Sequence, residues 1–362
     1  MRNKQIKSII SAVMFTFAMM IAGVGAANAG QPSIDKTTII ITALATWESD
    51  VPVDKMKFGW RPQMDFRVNG PIANGSRLSV ELSTPDGKPW VSFDCNTESL
   101  SEGEVFKVSG CGGRDSVPDE KMALAIGLYG LKINLKNELQ GTNHTLFTGK
   151  FKVGNVNLSE KTGKEKDYKW YVDYDWALPI AEVFADSKEQ SYGGVIEREA
   201  QPLVASFWYR GNPPTVAYLF YKGQQIADTE TAEGGVAWQE YGLNMFDMTP
   251  FLWTKKTYKF TRVLVRNKTD PRSLVDPFFM EKNPGEYEVK VLSKGKLVRA
   301  VKFTAGQNGK IIDPGISQQN ALGTDRITLF ATVSGDDGGN QSDLQAWKST
   351  AFFEGPLKGF GQ

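Results

Sequence analysis

Gly127-Leu128-Tyr129-Gly130-Leu131-Lys132-Ile133 and Gly285-Glu286-Tyr287-Glu288-Val289-Lys290-Val291 are the stretches whose reading decides the fold. Each opens on a glycine and then alternates, one side chain for an apolar face and the next for a wet one, which is the period of a half-buried strand. Each is followed by a closing strand, Gly149-Lys150-Phe151-Lys152-Val153-Gly154 and Ala300-Val301-Lys302-Phe303-Thr304-Ala305-Gly306. Working outward, Phe66-Arg67-Val68-Asn69-Gly70 corresponds to Phe207-Trp208-Tyr209-Arg210-Gly211. Leu78–Leu82 corresponds to Val216–Phe220, and the glycine turns at Gly87 and Gly223 follow them. The offsets are 141, 158 and 152, so loop lengths differ while the order holds. A period near 150 residues is too long for a solenoid and fits two tandem domains.

The rest of the chain agrees with an all-β reading. Arg77–Leu82 and Glu286–Val291 alternate cleanly, and Lys259–Val265 does so less cleanly. Pro85-Asp86-Gly87, Asn212-Pro213-Pro214, Asn283-Pro284-Gly285 and Lys294-Gly295 separate the runs as turns. Many short strands with such punctuation argue for antiparallel β-sandwiches. The G-x-Y-x-[LV]-K-[IV] strand and its K-F partner resemble the last hairpin of bacterial immunoglobulin-like and fibronectin-III-like sandwiches. The resemblance covers four short segments per copy and implies a fold, not an activity. It lacks the Cys…Trp…Cys spacing of antibody domains. The expected organisation is a signal peptide over 1–29, a first immunoglobulin-like sandwich over 35–158, a charged linker over 159–167 and a second sandwich over 168–312. A C-terminal extension over 313–362 is expected to pack on the second, with a strand at Arg326–Val333 and a short helix over 343–354.

Arg2, Lys4 and Lys7 precede an apolar run from Ile9 to Gly25, and Ala27-Asn28-Ala29 supplies the small residues of a cleavage site. The expected product begins at Gly30, is exported to the periplasm or cell surface, and has no later stretch apolar enough to span a membrane. In that oxidising setting Cys95 and Cys111, the only two cysteines, are expected to form one structural disulfide.

The whole chain carries 42 Lys+Arg against 41 Asp+Glu. Removing the three basic residues of the leader leaves 39 against 41, so nothing suggests a nucleic-acid partner. The single histidine, His144, sits in a polar hairpin tip and excludes multi-histidine metal sites. Asp336–Asp343 lacks the alternating acids and closing glutamate of a calcium loop, and no phosphate-binding, nucleophile-elbow or zinc-protease motif is present. No cofactor or metal is therefore expected.

The residues with most chemical potential lie between Trp170 and Asp186. Trp170, Val172, Tyr174 and Trp176 alternate with Tyr171, Asp173 and Asp175, and Glu182 and Asp186 follow. Alternation predicts aromatics packed inward and Asp173 and Asp175 in water. Trp208 and Tyr209 point to opposite faces of their strand, so at least one of Trp208 or Phe207/Tyr209 is expected to face out. Three functions follow. The first is a non-enzymatic envelope protein making protein contacts. The second is a carbohydrate binder stacking polysaccharide on Trp170, Tyr174, Trp176 or Trp208, with Asp173 and Asp175 bonding hydroxyls. The third is a hydrolase using two carboxylates across a cleft. The second needs exposed coplanar rings and the third needs converging acids.

Overall fold

The computed structural model describes residues 32–47, 58–70, 72–95, 105–157, 168–185, 203–230, 235–243, 253–260, 264–266, 274–278, 280–319, 326–334 and 352–353. The expected leader, the charged linker, Asp186 and the 336–343 loop lie outside them.

The chain is all-β, with antiparallel sheets that pair into two sandwiches. In the first, β1 (Ser33–Trp47), β2 (Phe58–Asn69) and β5 (Val105–Gly112) form a three-stranded sheet in the order β1-β2-β5. The facing sheet contains β3 (Ser76–Ser83), β4 (Pro89–Asp94), β6 (Gly127–Asn137) and β7 (Thr142–Asn157), in the order β7-β6-β3-β4. The strand β8 (Tyr168–Val172) adds to the far end of β7, pairing Val153 with Val172 and Asn157 with Tyr168. Met64, Phe66 and Val68 from one sheet meet Val80, Leu82, Ile133 and Phe147 from the other in one buried cluster. Each such side chain contributes on the order of 1.5–3 kcal/mol by leaving water.

The second sandwich repeats this order. Its β9 (Ile180–Ala185), β10 (Leu203–Arg210) and β14 (Trp253–Phe260) pair as β9-β10-β14. The strand β13 (Val236–Leu243) extends that sheet beyond β14. Opposite lie β11 (Val216–Tyr221), β12 (Gln224–Asp228), β17 (Gly285–Ser293) and β18 (Lys296–Ala305), in the order β18-β17-β11-β12. A small pair, β15 (Leu264–Arg266) and β16 (Leu274–Pro277), forms its own sheet beside β12. Every segment of the sequence repeat lands on an equivalent strand: β2 on β10, β3 on β11, β6 on β17 and β7 on β18. The glycines that open β6 and β17 share one backbone conformation, φ 136° at Gly127 and 134° at Gly285. A side chain there is strained, which is why both copies of the motif begin with glycine.

The C-terminal residues take a different course from the one the sequence suggests. Arg326–Val333 does hold strands, but they are two: β19 (Ile327–Phe330) joins β9, and β20 (Thr332–Val333) joins β18. Between them Ala331 is fully buried and donates its N–H to the Pro179 carbonyl at 2.8 Å. The chain thus crosses from one sheet of the second sandwich to the other within one residue. Of the expected helix over 343–354, Phe352–Phe353 is described, and it forms a strand, β21, that pairs with Phe151 and Lys150 of β7 in the first sandwich.

Candidate functional site

The turn that leaves β8 is where the candidate residues gather. The Asp173 carboxylate accepts the Asp175 N–H at 2.9 Å, and the chain winds through one 3-10 turn, Asp175–Ala177, before β9. Alternation therefore stops at Val172. Tyr174, Asp175 and Trp176 leave the backbone on a helical turn, and all three are buried. The expectation of solvated acids is corrected: Asp175 is 1% exposed, and Asp173 is largely covered and lies 3.5 Å from Lys152 Nζ. A turn replaces the strand because an aspartate side chain offers the backbone a local partner that competes with the sheet ladder.

Tyr174 bonds across to the first strand. Its hydroxyl donates to the Ile41 carbonyl at 3.0 Å and accepts the Ile41 N–H at 2.5 Å, satisfying both polar groups of one β1 residue. Burial pushes the phenol well above its ordinary pKa, so the proton stays on at any physiological pH. The ring stacks on Trp208 of β10, with centroids 5.5 Å apart and planes at 14°, and leans on Trp176 and Trp253. Asp175 accepts the Trp253 indole N–H at 2.8 Å and pairs with Arg210 at 3.1 Å. The Arg210 guanidinium lies over the Trp253 ring, and Tyr171 covers its other neighbourhood at 5.7 Å. The Trp208 carbonyl receives two N–H groups of the buried Arg299, at 2.8 and 3.1 Å.

The same residues belong to one buried cluster with the first sandwich. Trp170, Tyr174, Trp176, Trp208 and Trp253 pack with Ile41, Met64 and Val153. The expectation of an outward ring at Trp208 or Tyr209 is corrected too. Tyr209 points into the second core and Trp208 into the junction, so both are buried. The signal was available in Leu203-Val204-Ala205-Ser206-Phe207-Trp208-Tyr209. Its nearly continuous apolar run is what a strand covered on both faces requires.

Beside the junction lies a buried ionic group. Lys255 of β14 donates to both oxygens of Glu182 at 2.9 Å, and Arg326 reaches the same carboxylate at 2.6 Å. Burial alone would raise the pKa of Glu182, but the two cations overcome it and hold the carboxyl down to about 2. Asp86, on an exposed turn, is also held near 2, by hydrogen bonds from Lys88 and Thr84. A general acid at neutral pH needs the opposite displacement. Among the described residues no group of three or more His, Cys, Asp or Glu side chains could hold a metal. His144 is exposed on β7 opposite Leu135.

Sequence reasoning missed Arg210, Trp253, Lys255, Arg299 and Arg326, because their partners lie tens of residues away. It also missed a surface feature. Ala123 exchanges backbone hydrogen bonds with Trp60, and the Ala125 carbonyl accepts the Trp60 indole at 3.3 Å and the Tyr129 hydroxyl at 2.8 Å. That fixed backbone presents Leu124 and Ile126, each 54% exposed, with Leu124 against Gly59, the chain neighbour of the exposed Phe58.

No family model and no curated protein matches the chain. A solved structure, native alfa-L-rhamnosidase from Aspergillus terreus, aligns with 78% of this chain and 28% of its own length, at 10% identity and a TM-score of 0.15. A likeness at that level carries no argument about fold or function.

Proposed function

We propose that the chain is an exported, non-enzymatic protein of two immunoglobulin-like or fibronectin-III-like sandwiches that makes protein contacts or acts as a scaffold in the cell envelope. The observation that carries this reading is the junction. Trp170, Tyr174, Trp176, Trp208 and Asp175, the residues with most potential for sugar stacking or acid chemistry, are spent on joining one sandwich to the other. A buried ring offers no face to a sugar, and the Asp175 carboxylate is buried and already engaged by Arg210 and the Trp253 indole. A two-unit body joined through one buried cluster, with the apolar side chains of Phe58, Leu124 and Ile126 exposed, suits contact with another envelope or surface protein.

The Cys95–Cys111 bridge supports export, since such bonds persist in oxidising compartments. No described helix is long and apolar enough to cross a membrane. The test is photo-crosslinking in the envelope, with the reactive group placed at Leu124 and, as a control, at the exposed Asn143. Discrete adducts at Leu124 alone are expected. Equal labelling at both positions, or release of soluble sugar from cell-wall polymer by the purified protein, would overturn the reading.

A further inference from the structure

The outer edge of β7 is divided into three parts. One edge of the strand pairs with β6 from Thr142 to Val153, Gly127↔Val153 to Asn137↔Thr142. On the other edge, β8 occupies Val153–Asn157. At the opposite end, the register shifts between Ile133↔Phe147 and Asn134↔Thr145, so Leu146 is an extra residue and the ladder is broken there. A bulge of this kind blunts an edge against further pairing. Between the bulge and β8 lies a short regular edge, Phe147–Lys152, whose last carbonyl accepts the Asp173 N–H at 3.0 Å, and β21 sits in it, opposite Lys150 and Phe151.

The second sandwich has the same slot, filled in a different way. β18 is the counterpart of β7, and its pairs Tyr287↔Phe303 and Val291↔Arg299 match Tyr129↔Phe151 and Ile133↔Phe147. Its edge is taken at Arg299 and Ala300 by β20, which follows β19 after the single residue Ala331. The repeated fold therefore leaves an acceptor edge in each copy. The second copy fills it from the adjoining chain. Among the described residues the first has no adjoining strand for the purpose and takes Phe352–Phe353, which follow residues 334–351 in the sequence, Gly335, Gly338 and Gly339 among them.

We propose that the Phe147–Lys152 edge is a strand-acceptor site, and that the C-terminal strand of a second copy of this chain fills it to give a strand-exchanged dimer. This rests on the protein-contact reading and names one contact. The argument is one of equal contacts. The register Phe352↔Phe151 and Phe353↔Lys150 is the same whether the donor is the chain's own terminus or a neighbour's, and main-chain pairing supplies the affinity in both. The intramolecular arrangement is favoured only by its effective concentration, on the order of millimolar for a tether of modest length. Crowded at a surface, or concentrated in solution, copies exchange strands with no new contact needed.

Sedimentation of the oxidised mature protein should show a dimer fraction that rises with concentration towards about 1 mM, the range set by the tether. A chain lacking residues 352–362 should stay monomeric alone yet pair with full-length protein, which still carries a donor. The full-length double variant Phe352→Asp, Phe353→Asp should also be monomeric, which separates strand loss from any effect of truncation. A synthetic peptide of residues 351–362 should slow amide exchange at Phe147–Lys152 in the truncated chain. A full-length chain monomeric throughout that range overturns the proposal however the peptide behaves, and so does a truncated chain that dimerises as the full chain does. Loss of the dimer with retained crosslinks at Leu124 would sink this contact and leave the wider reading standing.

Discussion

In the first sandwich a covalent bond joins the two sheets. Cys95, just beyond β4 and bonded through its N–H to the Leu78 carbonyl, is linked to Cys111 of β5, which pairs with Met64 of β2. The second sandwich has no cysteine. There the chain itself passes from sheet to sheet at Ala331, and Glu182, Lys255 and Arg326 hold the crossing strand against β9 and β14. The strand order is the same, but the staple differs. A sandwich of this size needs its sheets held in register, and either a bond or a crossing strand suffices. The choice also sets how each half responds to redox conditions and acid.

The largest effect should come from removing the second staple. Ending the chain at Asp325 deletes β19, β20, Arg326 and also β21, and leaves Glu182 with one cation. Breaking a buried ion pair alone costs about 3–5 kcal/mol, and the loss of Leu329 and Ala331 from the core adds to it. Limited proteolysis should then cut within the second sandwich first, and the half that shares the cluster around Tyr174 and Trp208 should lose protection with it. Survival of both halves would show that the crossing strand is dispensable.

Removing the first staple should cost less. Cys95→Ser opens a bridge between residues 16 apart, worth about 3 kcal/mol in the chain-entropy model. A charged linker suggests that such damage stays in one domain, but the shared cluster around Tyr174 and Trp208 predicts that the melting of the other half falls with it. A comparable shift with reductant in the wild type, absent from the serine variant, would check the assignment.

Acid should weaken the second staple and leave the disulfide untouched. Glu182 is depressed from 4.5 to about 2, so it contributes stability that is fully present above about pH 4.5 and is lost as pH falls through 2. The shift corresponds to about 3 kcal/mol. Denaturant midpoints measured from pH 5 to pH 2 should fall more steeply in the wild type than in Glu182→Gln, which has no such carboxyl to titrate. Parallel slopes would contradict the role given to this group.

The smallest effect is that of a single oxygen. Tyr174→Phe keeps the ring on Trp208 but leaves the Ile41 N–H and carbonyl without their hydroxyl partner, at a cost of about 1–3 kcal/mol. Chemical denaturation followed by tryptophan fluorescence should report it. No change would mean that water replaces the hydroxyl there, and that the junction is open.

Much of this fold was legible. The alternating strands after Gly127 and Gly285, and the turns at Gly87 and Gly223, depend on local period and local backbone sign, which a sequence carries openly. The disulfide was legible because two cysteines allow one pairing. The junction was not. Tyr174 and Asp175 continue an apolar-polar alternation that an aspartate-stabilised turn interrupts, and their partners Ile41, Trp208, Arg210 and Trp253 are distant in sequence. The ambiguity of Trp208 was decided by what lies outside its strand, since the first sandwich covers a face that an isolated second sandwich would expose to water. The strand Tyr168–Val172 opens the second unit in the sequence reading, yet it completes a sheet of the first. A charged linker marks where the chain leaves a core and says little about which sheet it joins next.

The central claim is that the buried junction makes the two sandwiches one cooperative body. Calorimetry of the oxidised mature protein tests it most directly. The account predicts a single transition with calorimetric and van't Hoff enthalpies in agreement, and its separation into two transitions in Asp175→Ala, where the half-buried Arg210 beside Trp253 loses that carboxylate. Two resolved transitions in the wild type, each unmoved by Asp175→Ala, would contradict it.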